Sequence, residues 1–264
     1  MNKVMRKVLK GLLAVTFILM MSQVSFGQYA YFAESGKIEF EKKVNMFAKM
    51  KARVKEDDVF MKKVYEDYRK NQPQFATTKT TLSFNKNQSL YEVTEEPKAS
   101  RGWFGSEPWL IVKNTILTDF ESGDQTVLKK VYEEDFVLKD KQPEILWKYT
   151  NEVREIAGFE CKRANGLIMD SIYVVAFYTD EILPSGGPES FSGLPGMILG
   201  VALPHENITW FATTVEIDKP GPISAPKMPK RAEEVNREGM EEYLKKNLDL
   251  WGTSVEEASK AFLL

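Results

Sequence analysis

Cys161 and His205 are the only cysteine and the only histidine in the chain, so thiol and imidazole chemistry have one candidate each. A nucleophilic thiolate needs a base beside it. His205 lies in Leu203-Pro204-His205-Glu206-Asn207, a composition suited to a hairpin turn. Cys161 stands in an alternating strand, where a cysteine serves as a small buried hydrophobe. A soft copper site could use Cys161, His205 and Met169 or Met197, but nothing in their spacing draws them together. One Cys and one His cannot supply the four ligands of a structural zinc site. Neither a resident metal nor a cofactor is expected. Acid runs such as Glu133-Glu134-Asp135 and Asp180-Glu181 offer the paired carboxylates of glycoside hydrolysis, yet such runs most often form solvated edges and turns. Gly-x-Ser-x-Gly, His-Glu-x-x-His and phosphate-loop patterns are absent from the sequence. No catalytic residue is assigned on these grounds.

The most distinctive segment is Gly186-Gly187-Pro188-Glu189-Ser190-Phe191-Ser192-Gly193-Leu194-Pro195-Gly196-Met197-Ile198-Leu199. Gly193 and Gly196 can adopt positive φ at little cost, and Pro195 fixes its own φ. Leu194 becomes an apolar knob at a tight corner, and Met197 onward enters a strand. Gly, Pro and apolar residues supply shape without chemistry, which suits a structural corner. The sharper reading is a hydrophobic rim of Phe191, Gly193, Leu194, Pro195, Gly196 and Met197, with Tyr178 on the strand before it. A second loop, Pro97 to Pro108, carries Trp103 and Phe104, which either form a lip for a ligand or partner or fold back as a satellite core.

The segment resembles the GLPGLI family of exported proteins from Bacteroidetes-type bacteria. The match is Gly193-Leu194-Pro195-Gly196-Met197-Ile198, with Met for the second Leu. Gly158-Phe159-Glu160-Cys161-Lys162-Arg163-Ala164 is similar to the family's G-aromatic-x-C-K-x-A strand. Ala176-Phe177-Tyr178-Thr179-Asp180-Glu181-Ile182 is similar to its A-W-Y-T-x-x-I, with Phe in the Trp position. Gly187-Pro188 and Phe191 fit its G-P-x-x-F lead-in. The resemblance is specific from about Glu155 to Ile217 and loose from Gly36 onward. It implies export and a β-rich fold, and it supplies no catalytic residues.

The elements that must position these residues are mostly strands. Lys37-Ile38-Glu39-Phe40-Glu41 alternates, as a half-buried strand does. Hairpins are expected from Thr80–Phe84 to Leu90–Val93 and from Thr115–Phe120 to Thr126–Tyr132. Ile145, Trp147 and Tyr149 alternate in the next strand. Ser171 to Tyr178 is almost continuously apolar, which suits a strand buried on both faces. Met197 to Leu203 and Thr209 to Ile217 add two more. Asp58 is placed to cap a helix over Val59 to Arg69 whose stripe holds Phe60, Val64 and Tyr68, with Met61 and Tyr65 beside it. Strands at short spacing without long helical crossovers favour an antiparallel sheet.

The first residues, Met1 to Lys10, carry four bases and no acid. An uncharged, mostly apolar run follows from Gly11 to Met21, and Ser25 and Gly27 stand at −3 and −1 of a cleavage point. This is the pattern of a Sec signal peptide over 1–27, too short in its apolar part to span a bilayer. Gln28 rather than a Cys stands immediately after the cleavage point, so a lipid anchor is not expected. Without those four bases the balance is 32 Lys+Arg against 38 Asp+Glu, about −6. That acidity argues against a nucleic-acid partner. Hydrophobic residues at 43% are enough for a packed core, which a disulfide cannot supplement with one Cys.

The expected fold is mainly β with minor α: a single curved antiparallel sheet or half-barrel meander, one helix packed on it, and a C-terminal helix. The expected organisation is a leader (1–27), a β domain (28–218), a Pro-rich linker (219–230) and a helical segment (231–264), with Tyr243, Leu244 and Leu248 as the helix's docking side. The expected product is a monomeric, non-enzymatic envelope protein, periplasmic, secreted or outer-membrane associated, without a transmembrane segment after cleavage. It would bind a partner protein or an apolar small molecule on a concave sheet face. A carboxylate-dependent hydrolase is the first alternative, and a metal-handling protein using Cys161, Met and His205 the second.

Overall fold

In β1 (Gly36–Asn45), Ile38, Phe40, Lys42 and Val44 are buried while their neighbours are half-buried or exposed. That alternation, seeded by one apolar residue in every two, recurs through the chain and builds one large sheet. A computed structural model describes residues 32–96, 107–169, 171–219, 223–247 and 255–264. Its strands are β1, β2 (Phe75–Phe84), β3 (Gln88–Glu95), β4 (Asn114–Asp119), β5 (Asp124–Val131), β6 (Glu134–Lys141), β7 (Leu146–Ile156), β8 (Phe159–Ile168), β9 (Ile172–Thr179), β10 (Met197–Leu203), β11 (Ile208–Ile217) and β12 (Glu233–Val235). They lie in the order β12-β6-β5-β4-β3-β2-β1-β11-β10-β9-β8-β7. The sheet is open, and antiparallel except where β12 pairs with β6. The mainly β, antiparallel expectation holds.

Register fixes which side chains share a face. Ile38 opposes Leu82, Leu82 opposes Tyr91, Tyr91 opposes Ile116, Ile116 opposes Val127, and Val127 opposes Leu138. All six are buried. This row, with Phe40, Lys42 and Val44, defines the inner face. The expected central strand is β9, flanked by β8 and β10 and buried at every position but Tyr173.

Five helices complete the described residues: α1 (Met46–Arg53), α2 (Val59–Asn71), α3 (Pro108–Ile111), α4 (Arg237–Asn247) and α5 (Val255–Leu263). Asp58 caps α2 as its type and position predict, its carboxylate accepting from the Met61 N–H at 2.8 Å. The expectation that α2 packs on the concave face is corrected. None of its residues is buried, Phe60 is 64% exposed, and the helix lies against α1, where Phe47 meets Tyr68 edge-on at 6.2 Å. The helix belongs to the β1–β2 connection. Its docked stripe is Met61, Val64, Tyr65 and Tyr68, the expected residues apart from Phe60.

A single helix after the Pro-rich stretch is also corrected. Residues 233–235 form β12, α4 follows with Met240 and Leu244 buried, and Tyr243 packs on Phe136 at 4.6 Å. Leu248 lies outside the described residues. In and just after α5, Ala258, Ala261, Phe262, Leu263 and Leu264 are buried. Burying Phe262 alone is worth about 2–3 kcal/mol, which ties this segment into the core. Among the described residues no helix is long and apolar enough to cross a membrane. The expected leader over 1–27 lies outside the described residues.

Candidate functional site

Two lysines stand at apolar positions of the inner face. Lys42 follows Ile38 and Phe40 on β1. Lys129 follows Gln125 and Val127 on β5 and is directly opposite Asn114 of β4. Both are buried, at 4% exposure each. Burying an ammonium group is costly unless it is paired, and the partner comes from the loop between β9 and β10. Glu189 reaches the inner face and is 7% exposed. Its carboxylate accepts from Asn114 Nδ2 at 2.8 Å and from the Tyr91 hydroxyl at 3.2 Å, and it pairs with Lys42 Nζ at 3.7 Å. Side chains from β1, β3 and β4 therefore meet on one acid. Glu189 adopts φ +51°, a conformation that costs a non-glycine residue energy and recurs at functional sites.

The walls are aromatic. Lys42 Nζ lies 5.2 Å from the centroid of the Trp210 ring, and Phe191 meets Trp210 edge-on at 5.8 Å. Thr80 and Trp210 both face the Tyr91 hydroxyl. Even so, among the described residues Thr80 Oγ1, Trp210 Nε1 and Asn114 Oδ1 have no partner at bonding geometry. Burial lowers the Lys42 amine against the raising pull of Glu189. Burial also pushes the Lys129 amine down to about 7, with Glu189 opposing and Arg237 and Lys42 assisting. Burial, then the Glu189 charge, raises the Tyr91 phenol well above its ordinary range. Perturbed groups of this kind concentrate at functional sites. The described contacts of Glu189, namely Lys42, Tyr91 and Asn114, all donate to its carboxylate or carry positive charge.

The rim residues read from the sequence form a corner that is largely core. Phe191 and Leu194 are each 1% exposed, Met197 is fully buried, and Tyr178 is 6% exposed. Gly193 and Pro195 face solvent. Gly193 has φ +87° and Gly196 φ +134°. A Cβ on Gly196 would lie 2.1 Å from the Thr179 carbonyl oxygen, so only glycine fits there. Ser185 Oγ donates to the Leu194 carbonyl at 2.7 Å, and the Trp147 indole N–H donates to the Ser192 carbonyl at 2.9 Å. Trp103 and Phe104 lie outside the described residues.

Cys161 and His205 are not brought together. Lys162 pairs with Tyr178, so Cys161 lies beside Thr179 at one end of β9. The His205 ring is 6.2 Å from Tyr173 near the other end, roughly 20 Å along the strand. Burial pushes the Cys161 thiol up to about 12, which suppresses the thiolate. Among the described residues no group of three or more His, Cys, Asp or Glu could hold a metal ion. His205 instead borders a cleft of about 420 Å³ with Lys49, Arg53, Glu206 and Lys260. Beside it, Lys49 and Arg53 pair with the buried Glu107 at 3.5 and 2.6 Å.

The opposite face of the sheet carries a larger opening. Leu146 on β7 opposes Leu167 on β8, which opposes Tyr173 on β9. With Met169, Gly166, Glu144, Lys148 and Asn165 they line a cleft of about 710 Å³. Leu146 is 78% exposed and Leu167 54%. Among the described strands β7 ends the strand order and bonds only to β8, so within the described residues its outer edge is open beside the cleft. The alternation at Ile145, Trp147 and Tyr149 pointed to a strand, but nothing in it marks a sheet edge.

A family model described as "Protein of unknown function (Porph_ging)" matches residues 165–200, from the middle of β8 through the glycine-rich corner into β10. No curated protein matches the chain. Two solved structures of PNGF-II are similar. The one in the P21 space group has 13% sequence identity and TM-score 0.47, covering 81% of this chain and 34% of that one. The one in the C2 space group has 14% identity and TM-score 0.45, covering 80% and 32%. This chain spans about a third of the length of each.

Proposed function

We propose that this chain is an exported, non-enzymatic cell-envelope protein that binds an extended segment of a partner protein at the open edge of β7. The observation that carries this reading is the cleft of about 710 Å³ lined by Leu146, Leu167, Met169 and Tyr173 beside a strand edge that is unpaired among the described residues. Strand addition would supply main-chain hydrogen bonds along Leu146–Tyr149, and the cleft would take an apolar side chain of the added segment. A long, exposed, apolar edge is a liability that proteins normally cover or blunt. Here Leu146, Tyr149 and Val153 are all more than half exposed. Glu144 and Lys148 at the rim offer one charge of each sign to set register.

Export rests on the leader pattern over 1–27. Membership of the GLPGLI group rests on Gly193 to Ile198 and its neighbouring strands, the stretch that also carries the match to a family of unknown function. Photo-cross-linking in the native host tests the binding site. A benzophenone side chain placed at 146 or 167 should give one discrete cross-linked product, and the same group at the exposed position 60 should not. Equal patterns from all three positions, or no product at any, would reject the proposal.

A further inference from the structure

The C-terminal helix is held on the inner face by two cations and by its apolar side chains. Lys129 Nζ donates to the Phe262 carbonyl. Arg237 Nη1 donates to the Leu263 carbonyl at 2.9 Å. Around these contacts Ala258, Ala261, Phe262, Leu263 and Leu264 are buried. Among the described residues no main-chain hydrogen bond joins this helix to the sheet, and it packs on α3 and α4. Its attachment is therefore one of side chains, which can be exchanged without breaking a ladder.

The charges around these two oxygens are unbalanced. Arg237 and Lys42 both act on Lys129, and among the described residues Glu189 is the carboxylate that opposes them there. Asp140, the acid nearest Arg237, is exposed, and one of its oxygens is taken by the Arg237 main-chain N–H at 3.1 Å. Lys129 and Arg237 thus donate to neutral carbonyls where an anionic acceptor would make shorter and stronger bonds. The Trp210 indole N–H on the same face is buried and faces the Tyr91 hydroxyl, with no partner at full bonding geometry among the described residues. A cationic head position joined to a volume shaped for Phe and Leu side chains has the chemistry of a site for an amphiphile.

We propose that the inner face is a binding site for an amphiphile with a carboxylate head and an alkyl chain, and that residues 255–264 are its built-in competitor. Lys129 and Arg237 take the carboxylate in place of the Phe262 and Leu263 carbonyls. The alkyl chain takes the space of Phe262, Leu263 and Leu264. This site is separate from the β7 edge, on the other face of the sheet, and stands or falls independently of it.

Laurate and dodecanol, which differ only in the head group, are the probes, and the full chain is the receptor. Calorimetry should show saturable laurate binding, with dodecanol at least about tenfold weaker, as expected for loss of a charged hydrogen bond. Hydrogen exchange of the 255–263 amides should speed up on laurate addition. Lys129→Met and Arg237→Gln should each weaken laurate about tenfold or more, while Leu167→Asp in the outer cleft should bind it as the parent does. Four results would overturn the proposal: no saturable laurate binding, equal binding of laurate and dodecanol, binding without faster exchange at 255–263, or loss in Leu167→Asp with retention in Lys129→Met. The comparison of the two probes needs no variant, so a poorly folding substitution does not blunt the test.

Discussion

Replacing Lys129 by Met should make the protein more stable at neutral pH and remove most of the pH dependence of its stability between pH 7 and 9. The ordinary lysine value is 10.5, and burial pushes Lys129 down to about 7 in the fold. Between those two values the unfolded chain holds a proton that the folded chain has released. Stability therefore rises with pH across that window and is lost as pH falls through it, levelling off below about 7. The gap corresponds to a ceiling of about 5 kcal/mol, of which about 2 kcal/mol should appear between pH 7 and 9. Glu189, Arg237 and Lys42 are the charged groups acting on this amine. Lys42, lowered in the same direction, should leave a smaller residual slope in the variant. Methionine fills the volume without the charge but gives up the bond to the Phe262 carbonyl, a loss of about 1 kcal/mol. Urea unfolding of both proteins at pH 6, 7, 8 and 9 measures the difference. An undiminished slope in Lys129→Met, or a variant less stable than its parent at pH 6, would refute the reasoning.

Glu189→Ala should cost about 3–5 kcal/mol, because it leaves Lys42 buried without its counter-charge and strips Tyr91 and Asn114 of an acceptor. The double variant Lys42→Met/Glu189→Leu should cost less than the single, a comparison for chemical denaturation. Gly196→Ala should lower stability by roughly 2 kcal/mol or more, since its Cβ would meet the Thr179 carbonyl oxygen at 2.1 Å, and a thermal melt reads this out. Asp58→Ala should cost about 1 kcal/mol and speed amide exchange in the first turn of α2 while leaving the sheet amides unchanged.

Much of the sheet is legible in the sequence because alternation is a local signal. The hairpins around 85–87 and 120–123 and the apolar run of β9 all fall where their residues place them. β6 is not legible in the same way: Glu133-Glu134-Asp135 suggests a solvated edge, yet Phe136, Val137 and Leu138 behind it are buried. Glu189 is invisible because a single acid in a loop belongs to no periodic pattern, and its partners Tyr91 and Asn114 lie 98 and 75 residues away. Lys42 and Lys129 did carry a signal. Each is a lysine at the apolar register of an alternating strand, a position that asks for a buried partner. The apolar side of α2 is legible except at Phe60, because helical spacing alone does not say which of two adjacent apolar rows faces the protein. The β7 cleft needs the strand order, which depends on long-range pairing that no local pattern records.

Occupancy of that cleft is the most direct test of the account. Native mass spectrometry of the full chain purified from the envelope, beside its Leu167→Asp variant, measures it. Leu167 is 54% exposed, so the substitution should leave stability within about 0.5 kcal/mol. The parent should carry a discrete added protein mass that is missing from the variant. A parent with no added mass, or a variant that carries the same one, would contradict the account.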